Sequence, residues 1–460
     1  MIRTCLRYNF PAPGALFLLA LVVLFPEPSF AQEGASTLDT GDTAWMLTSS
    51  ALVLMMTIPG LFLFYGGLVR SKNALGTMMQ SFFLAGLITI QWAIIGYSLA
   101  FGTDISSLVG GLDFIGLNGV GPEPLDGSTI PHSLFMVYQM TFAIITVALI
   151  SGAFAERMKF SAFIIFSLLW TTIIYDPLAH WVWGGGWIGA MGALDFAGGT
   201  VVHISSGAAA LAAALLIGKR IGYGKLPMAP HLLPFSVIGA ALLWVGWFGF
   251  NAGSALGANG LAATAFVTTQ LAAAAAVLAW TAVEWMVRGK PTVLGAASGA
   301  VAGLVAITPA AGFVGPMSAI IIGIGGGVLC FFGVTLKPRF GYDDALDVVG
   351  VHGVGGTWGA LATGLFASTA VNPDGANGLF FGNPEQLWIQ FLSVAVTWVF
   401  SFVGTSVILL LVKAVMGLRV SSDKETEGLD ISEHGEEAYG GFQMAHGYGT
   451  PEHGISLKDE

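Results

Sequence analysis

Residues 195–207 read Asp-Phe-Ala-Gly-Gly-Thr-Val-Val-His-Ile-Ser-Ser-Gly, and residues 344–356 read Asp-Ala-Leu-Asp-Val-Val-Gly-Val-His-Gly-Val-Gly-Gly. In both stretches an aspartate lies eight residues before a histidine, and a glycine lies four residues after it. The two histidines, His203 and His352, stand inside long apolar segments, where an ionisable side chain is costly and therefore indicates function. The repeated pattern predicts two homologous halves that each bring one histidine to a shared central path.

The composition of the whole chain indicates a membrane protein. Its 460 residues are 55% hydrophobic and only 10% charged, whereas soluble domains carry about 25% charged residues. The formal net charge of −10 offers no basic surface for nucleic acid. Segments long enough to cross a bilayer as helices number eleven, at 44–69, 76–103, 131–153, 160–178, 198–218, 233–254, 261–287, 293–309, 314–336, 347–368 and 385–416.

The positions of lysine and arginine predict how these spans are oriented. Beyond residue 31, both residue types lie only at or after the ends of odd-numbered spans. Because positive charge marks cytoplasmic loops, we expect the N-terminus outside the cell and the C-terminus in the cytoplasm. Neither residue type occurs in the loops that follow the five even-numbered spans, at 104–130, 179–197, 255–260, 310–313 and 369–384.

A second repeated pattern supports the two halves. The sequence G-x3-F-x2-G occurs at 60–67 in the first span and again at 246–253 in the sixth, so that Phe64 corresponds to Phe250. Spans one and six therefore correspond, as do spans five and ten. Five spans per half is an odd number, which predicts two inverted repeats of five helices with a peripheral eleventh helix.

Both ends of the chain differ from the apolar middle. Residues 1–31 combine a basic start, a short apolar stretch and small residues at its end, which predicts a cleaved signal peptide; a retained first helix is the alternative. Residues 32–416 form the predicted transmembrane domain, and 417–460 form a polar cytoplasmic tail, either disordered or a docking and regulatory segment. Removal of Cys5 leaves Cys330 alone, which excludes an intrachain disulfide and a cysteine-based metal site.

The histidine segments carry the chemistry that the residues themselves predict. Two coupled imidazoles that meet near the midplane share a proton and line a path for a small hydrogen-bonding solute or a proton. Two independent helix–helix hydrogen bonds are the alternative, and a metal site would need further ligands. Asp195 either caps the N-terminus of the fifth span or stabilises a cation directly. By symmetry, Asp344 and Asp347 lie at the inner end of span ten, where we expect them to cap the helix and shape the inner mouth.

Three tryptophans cluster near the predicted outer end of the fourth span, at Trp181, Trp183 and Trp187. Most membrane tryptophans anchor a helix at the interface. A tryptophan face also binds a cation that has lost part of its water. The sequence pattern does not decide which of the three would do so.

Four stretches resemble one family of membrane proteins. They are G-L-F-L-F-Y-G-G-L-V-R-S-K-N at 60–73, A-L-D-F-A-G-G-T-V-V-H-I-S-S at 193–206, W-F-G-F-N-A-G-S-A at 247–255 and D-D-A-L-D-V-V-G-V-H-G-V-G-G at 343–356. Together they resemble the ammonium transporter (Amt/Mep/Rh) family over about residues 42–440. The tail sequence E-G-L-D-I-S-E-H-G-E-E-A-Y at 427–439 is similar to the tails of bacterial Amt proteins rather than to Rhesus glycoproteins.

The resemblance implies an assembly and a set of site residues. It implies a homotrimer in the inner membrane, with one pore per subunit, no cofactor and a PII-type signalling protein that contacts the tail. The pore histidines match His203 and His352, Asp195 matches the aspartate beneath the outer site, and Thr308 matches a vestibule position. The outer recruitment site and the gate below it match aromatic and hydroxyl residues, namely Trp183, Phe142, Ser254, Tyr138 and Tyr175 for recruitment and Phe142 with Phe250 for the gate.

The resemblance also implies a transport mechanism. Ammonium would be recruited at the outer aromatic site and deprotonated, and ammonia would cross the apolar pore while a proton passes along the histidines. A neutral ammonia channel and an ammonium sensor with low flux are the alternatives. Trp183 argues against a Rhesus-like channel. An intramembrane enzyme would need a nucleophile or a metal cluster, so the chain is predicted not to be an enzyme.

Overall fold

The computed structural model of the protein describes residues 38–439. The predicted signal peptide and residues 440–460 of the tail lie outside the described residues.

The described part of the chain is built almost entirely from helices. The helices that follow the predicted spans are α1 (Thr40–Leu68), α2 (Ser71–Phe101), α3 (His132–Phe154), α4 (Phe160–Ala190), α5 (Gly199–Ile217), α6 (Leu233–Ala255), α7 (Gly260–Arg288), α8 (Val293–Ile307), α9 (Pro316–Phe340), α10 (Val349–Gly353 continued by Val354–Phe366) and α11 (Pro384–Met416). Within the described residues, nine of these helices are long and apolar enough to cross a membrane, and α8 and α10 are shorter. The prediction of a helical polytopic membrane protein is confirmed.

The largest boundary difference concerns α4, which was predicted to end at residue 178. It continues to Trp183 and, after a non-helical break at 184–186, resumes at Trp187–Ala190. Asp176 and His180 interrupt the apolar run in the sequence, yet both side chains are fully buried. The Gln91 amide donates a hydrogen bond to Asp176 (2.8 Å), and the His180 ring contacts the Ala100 carbonyl (3.0 Å). Because these neighbours bind one Asp176 oxygen and the His180 ring, the helix continues through both residues. The other Asp176 oxygen has no partner among the described residues.

Glycine allows the two histidine helices to cross closely. A Cβ atom added to Gly207 in α5 would lie 2.3 Å from the Cα atom of Gly353 in α10. One added to Gly356 would lie 3.0 Å from the His203 Cβ atom. The glycine four residues after each histidine is therefore a packing requirement, because only small residues let two membrane helices approach to backbone contact.

Short elements close the two ends of the helical bundle. Between α2 and α3, a two-stranded antiparallel hairpin pairs β1 (Asp104–Ile105) with β2 (Val109–Gly110). After α11, the tail forms the short helices α12 (Ser422–Glu427) and α13 (Leu429–His434). The Asp430 carboxylate accepts a hydrogen bond from the Gly76 amide (2.7 Å), and the Glu433 carboxylate accepts one from the Phe160 amide (3.1 Å). The described part of the tail is therefore docked against the helix ends.

Candidate functional site

An aromatic cluster with one exposed edge lies where α3, α4 and α6 come together. The Phe142 ring is at its centre, with its centroid 6.0 Å from that of Trp183 and 5.0 Å from that of Tyr138, both in edge-to-face geometry. The Tyr138 hydroxyl lies 3.2 Å from the Ser254 hydroxyl. Trp183 and Ser254 are half-buried, whereas Phe142 and Tyr138 are 1% exposed. Ring faces and a hydroxyl thus converge at the open side of the cluster.

The structure distinguishes Trp183 from the two tryptophans near it. Its indole N–H donates to the Asp195 carbonyl (2.9 Å), which aligns the ring beside Phe142. Trp181 instead packs against Phe400 (4.5 Å between centroids) and donates to the Leu108 carbonyl (2.7 Å). Of the three tryptophans, Trp183 alone has a ring contact with Phe142 within the described residues.

A stacked pair of phenylalanines lies directly beneath the cluster. The Phe142 and Phe250 rings are 4.2 Å apart, with 20° between their planes. Phe250 is fully buried. Stacking at this distance leaves no space between the rings.

Two histidine rings lie on the far side of this pair. The Nδ1 atoms of His203 and His352 are 3.2 Å apart, and both side chains are buried. Because two bare lone pairs repel, one Nδ1 atom must carry a proton that the other accepts. Among the described residues, the Nε2 atom of His203 has no hydrogen-bond partner. The pair therefore shares one proton and keeps a free ring nitrogen.

Two cavities continue the path through the bundle. The first is narrow and reaches from Phe250 past both histidines, with an otherwise almost entirely aliphatic and aromatic lining. The second is larger and extends to Asp347. Phe64, Val301 and His352 line both cavities. Two adjoining cavities, the first lined by both histidines and the second by His352, thus lead from the phenylalanine pair toward the opposite end of the bundle.

Comparisons with known proteins identify the family. The model of the Ammonium Transporter Family matches residues 44–439. The chain belongs to the ammonium transporter family. It is 57% identical to an ammonium transporter of Bacillus subtilis over 87% of this chain and 98% of that protein. Similar solved structures include Candida albicans Mep2 (TM-score 0.80, 40% identity, 84% of this chain and 88% of that one) and a sensor Amt protein (TM-score 0.79, 30% identity, 86% and 98%).

Membership of this family makes the chain a multi-pass ammonium transporter of the cell membrane. Its relatives are named as transporters rather than as enzymes. No cluster of three or more histidine, cysteine, aspartate or glutamate side chains that could hold a metal ion occurs between residues 38 and 439.

Sequence reasoning missed Trp247 in this transporter. Its ring stacks on His203 (5.5 Å, 26°), and its indole N–H donates to the Thr308 hydroxyl (2.9 Å). Thr308 is fully buried behind Trp247 and donates in turn to the Leu304 carbonyl (2.7 Å). The structure places Thr308 where it orients the ring beside His203, and the vestibule role that the resemblance implied for Thr308 stays a prediction. A tryptophan three residues before Phe250 was the available signal.

The motif aspartates cap the two histidine helices. Asp195 accepts hydrogen bonds from four successive amides at the start of α5, those of Gly198 (2.8 Å), Gly199 (2.6 Å), Thr200 (2.7 Å) and Val201 (3.3 Å), and from the Thr200 hydroxyl. A carboxylate in this position satisfies the unpaired amides and the helix dipole together. All four lone-pair directions of Asp195 are turned toward the protein, which supports the capping role over direct contact with a cation.

An aspartate also caps the second histidine helix, α10, but with fewer hydrogen bonds. Asp344 accepts a hydrogen bond from the Val349 amide (2.8 Å), and its other oxygen has no partner among the described residues. Burial raises the pKa of Asp344 to about 6, although the charge of Lys337 opposes this shift. Asp347 forms an ion pair with Lys337 (2.6 Å) and lines the second cavity. Both residues lie at the start of α10, and their role at an inner mouth stays a prediction.

Among the residues predicted for recruitment, Tyr175 is the one that the structure separates from the rest. Its ring packs against Trp92 (6.2 Å) and is 1% exposed. It has no ring contact with Phe142 or Trp183 within the described residues. Tyr175 thus lies behind the aromatic cluster rather than at its open side.

Proposed function

We propose that this transporter takes up ammonium by binding NH4⁺ at the Trp183 cluster, removing its proton and conducting NH3 past His203 and His352. A proton is relayed separately along the histidine pair. The observation that carries this proposal is the order of three features along the bundle. A half-exposed aromatic site comes first, a closed ring pair follows, and an apolar cavity with two histidines that share one proton comes last.

The outer site supplies two different attractions. Trp183 and Phe142 offer ring faces and edges, and a desolvated cation gains roughly 2 kcal/mol from a well-placed aromatic face. The Ser254 hydroxyl donates to the Phe250 carbonyl (2.8 Å), so its oxygen remains free to accept a hydrogen bond. Ammonium donates such a bond and potassium does not. Because the two ions are similar in size, this directional bond, rather than the ring faces, provides the selectivity.

A comparison of the desolvation cost with the cation–π attraction explains why the proton must leave at the ring pair. Moving an ion from water into a protein interior costs several kcal/mol even after relaxation. One or two cation–π contacts of about 2 kcal/mol each hold the ion at the mouth but do not offset full desolvation in the cavity. Neutral ammonia avoids this cost. The apolar lining beyond Phe250 therefore favours NH3 over NH4⁺.

The histidines then provide the polar sites within the apolar cavity. Ammonia that passes along the rings meets the unpaired Nε2 atom of His203. The shared proton between the Nδ1 atoms provides a relay step, because each ring can accept a proton on one nitrogen while it releases one from the other. Return of the proton to ammonia at the inner mouth makes the overall transfer electrogenic.

The assembly and topology follow the same proposal. The charge distribution supports an outer face at the Trp183 end and a cytoplasmic tail. Homotrimers and a PII-type regulator remain proposals that rest on the family resemblance. The tail segment up to residue 439 packs over the ends of the helices. A regulatory protein bound to this segment would also contact the inner mouth, which supports the proposal of such a regulator.

Currents recorded from proteoliposomes test the mechanism. Wild-type protein should give a saturable current after an ammonium pulse and none after an equal potassium pulse. His203→Ala and His352→Ala should each abolish this current or let potassium carry it. His132→Ala is the matched control, because it removes a buried histidine that bonds Tyr97 (2.6 Å) away from the two cavities.

Other outcomes would support the alternatives. Internal alkalinisation without current would indicate a neutral ammonia channel. Ammonium binding without current or alkalinisation would indicate a sensor. If both histidine variants kept wild-type current and selectivity, the relay would be refuted.

A further inference from the structure

A histidine outside the transport path contacts two hydrogen-bond acceptors. His180 lies on α4 three residues before Trp183, and its side chain is fully buried. Its Nδ1 atom is 3.0 Å from the Ala100 carbonyl, and its Nε2 atom is 2.8 Å from an Asp104 carboxylate oxygen. A carbonyl cannot donate, so Nδ1–H donates to Ala100. The contact with Asp104 therefore needs a second proton.

The geometry places that second proton between the His180 ring and the Asp104 carboxylate. The hydrogen bond from His180, joined by one from the Ser107 amide, holds the pKa of Asp104 below its ordinary range. The pair therefore holds a proton between a ring nitrogen and a carboxylate oxygen, at the end of the bundle where Trp183 lies.

The same contact joins two segments of the chain. The hairpin formed by β1 and β2 is bonded to the α4 end through the Trp181 indole N–H, which donates to the Leu108 carbonyl (2.7 Å). The Trp187 amide donates to the Ser107 carbonyl (3.2 Å). Gly184, next to Trp183, passes so close to α2 that an added Cβ atom would lie 2.0 Å from the Ala100 carbonyl oxygen.

The hairpin itself adopts a backbone that needs such contacts. Ser106 and Ser107 have φ angles of 57° and 60°, in the left-handed region. Non-glycine residues in this region cost on the order of 1 kcal/mol each and persist where neighbouring contacts hold them. The bonds to α4 are the contacts that hold this turn.

We infer that the hydrogen-bonded pair of His180 and Asp104 positions Trp183 for ammonium capture and does so only while it holds its proton. We call this pair the clasp. The inference rests on the proposed recruitment role of Trp183. His180 acts through its neighbours and touches no substrate, so it is a positioning residue. When the proton is lost, the clasp opens and ammonium binds more weakly, while the pore below is unchanged.

The surroundings single out Asp104 as the partner. Of the titratable groups on the elements packed against this end of α4, Asp104 alone contacts the His180 ring within the described residues. Asp113 accepts from the Thr103 amide (2.8 Å), and Tyr97 and His132 bond to each other (2.6 Å).

Deprotonation has a defined chemical consequence. A neutral His180 that still donates from Nδ1 to Ala100 turns an Nε2 lone pair toward the Asp104 carboxylate, and the two acceptors repel. In an Asp104→Asn variant, the new amide N–H would donate to that lone pair. This variant therefore keeps the clasp closed without an ionisable partner.

The test measures the KM for ammonium, expressed per ammonium ion, and the maximal current as external pH is raised. In wild type, KM should rise roughly tenfold at alkaline pH, equivalent to about 1.4 kcal/mol, with little change in maximal current. Asp104→Asn should make KM independent of pH. The matched control Asp113→Asn removes the same outer charge and should keep the wild-type profile. His180→Gln should raise KM at every pH.

Hydrogen–deuterium exchange of residues 104–110 provides the second readout. Exchange should accelerate at alkaline pH in wild type and not in Asp104→Asn. Identical pH profiles of KM in the two asparagine variants, or unchanged exchange in His180→Gln, would overturn the clasp. A Trp183→Ala variant with unchanged KM would overturn the proposed recruitment role instead, whatever the exchange data show.

Discussion

Replacement of Asp195 by asparagine separates a capping role from direct cation binding. The Asp195 carboxylate accepts from four backbone amides at the start of α5 at 2.6 to 3.3 Å. Each oxygen binds two of them. An asparagine turns an NH2 group toward two of these donors, whichever way its amide is oriented. An orphaned buried donor costs about 1–3 kcal/mol, so we expect a loss of roughly 2–6 kcal/mol, increased by the lost charge at the helix N-terminus.

Asp344→Asn is the matched control in the other half of the chain. One Asp344 oxygen accepts from the Val349 amide, and the other oxygen has no partner among the described residues. Its asparagine can point the NH2 group to the vacant side and keep the bond to Val349. We therefore expect a loss of no more than about 1 kcal/mol.

Thermal unfolding of the purified full-length variants in one detergent, followed by ammonium currents, provides the assay. Asp195→Asn should unfold at a clearly lower temperature than Asp344→Asn and should lose its current, because α5 carries His203. Equal unfolding temperatures would refute the capping energetics. Loss of current in Asp195→Asn without any loss of stability would show instead that the carboxylate acts on the cation itself.

Three further predictions concern helix contact, a buried ion pair and the outer face. Gly207→Val should lower the unfolding temperature and the maximal current, because its side chain would enter the α5–α10 contact, whereas Gly86→Val, which has open space around it, should do neither. Burial disfavours the charge on Glu156, but the hydrogen bonds from Arg70 and the charge of Arg220 outweigh it and lower the pKa of Glu156. Glu156→Gln should therefore cost about 3 kcal/mol in chemical unfolding at neutral pH, and this difference should vanish as the pH falls through that lowered pKa. Added salt should raise the KM for ammonium while leaving the maximal current unchanged, because the loops at the Trp183 end lack lysine and arginine and attract cations.

Much of the helical framework could be predicted from residue types alone. Runs of apolar residues must form helices in a bilayer, because every backbone group needs a partner there. For this reason the predicted spans correspond to helices α1 to α11 despite boundary differences. The burial of Asp176 and His180 could not be foreseen, since it depends on Gln91 and on the Ala100 carbonyl, which come from another helix.

The site was predictable in its residue types and less so in its geometry. The repeated aspartate, histidine and glycine spacing marked His203 and His352, and the resemblance supplied the aromatic residues. Trp247 behind His203, Thr308 behind Trp247 and the separate position of Tyr175 depend on side-chain directions between helices that are distant in sequence. Such directions follow from packing, which local periodicity does not encode.

The sequence by itself determined that this is a helical membrane protein, and it marked one histidine in each of two similarly spaced motifs. It did so because apolar length, charge position and repeated spacing are properties of residues in a row. Only the tertiary structure decided that the two Nδ1 atoms lie 3.2 Å apart, that Phe142 stacks on Phe250 and that Trp183 rather than Trp181 faces the path. These are distances between helices, and they are set by which small residues let those helices approach.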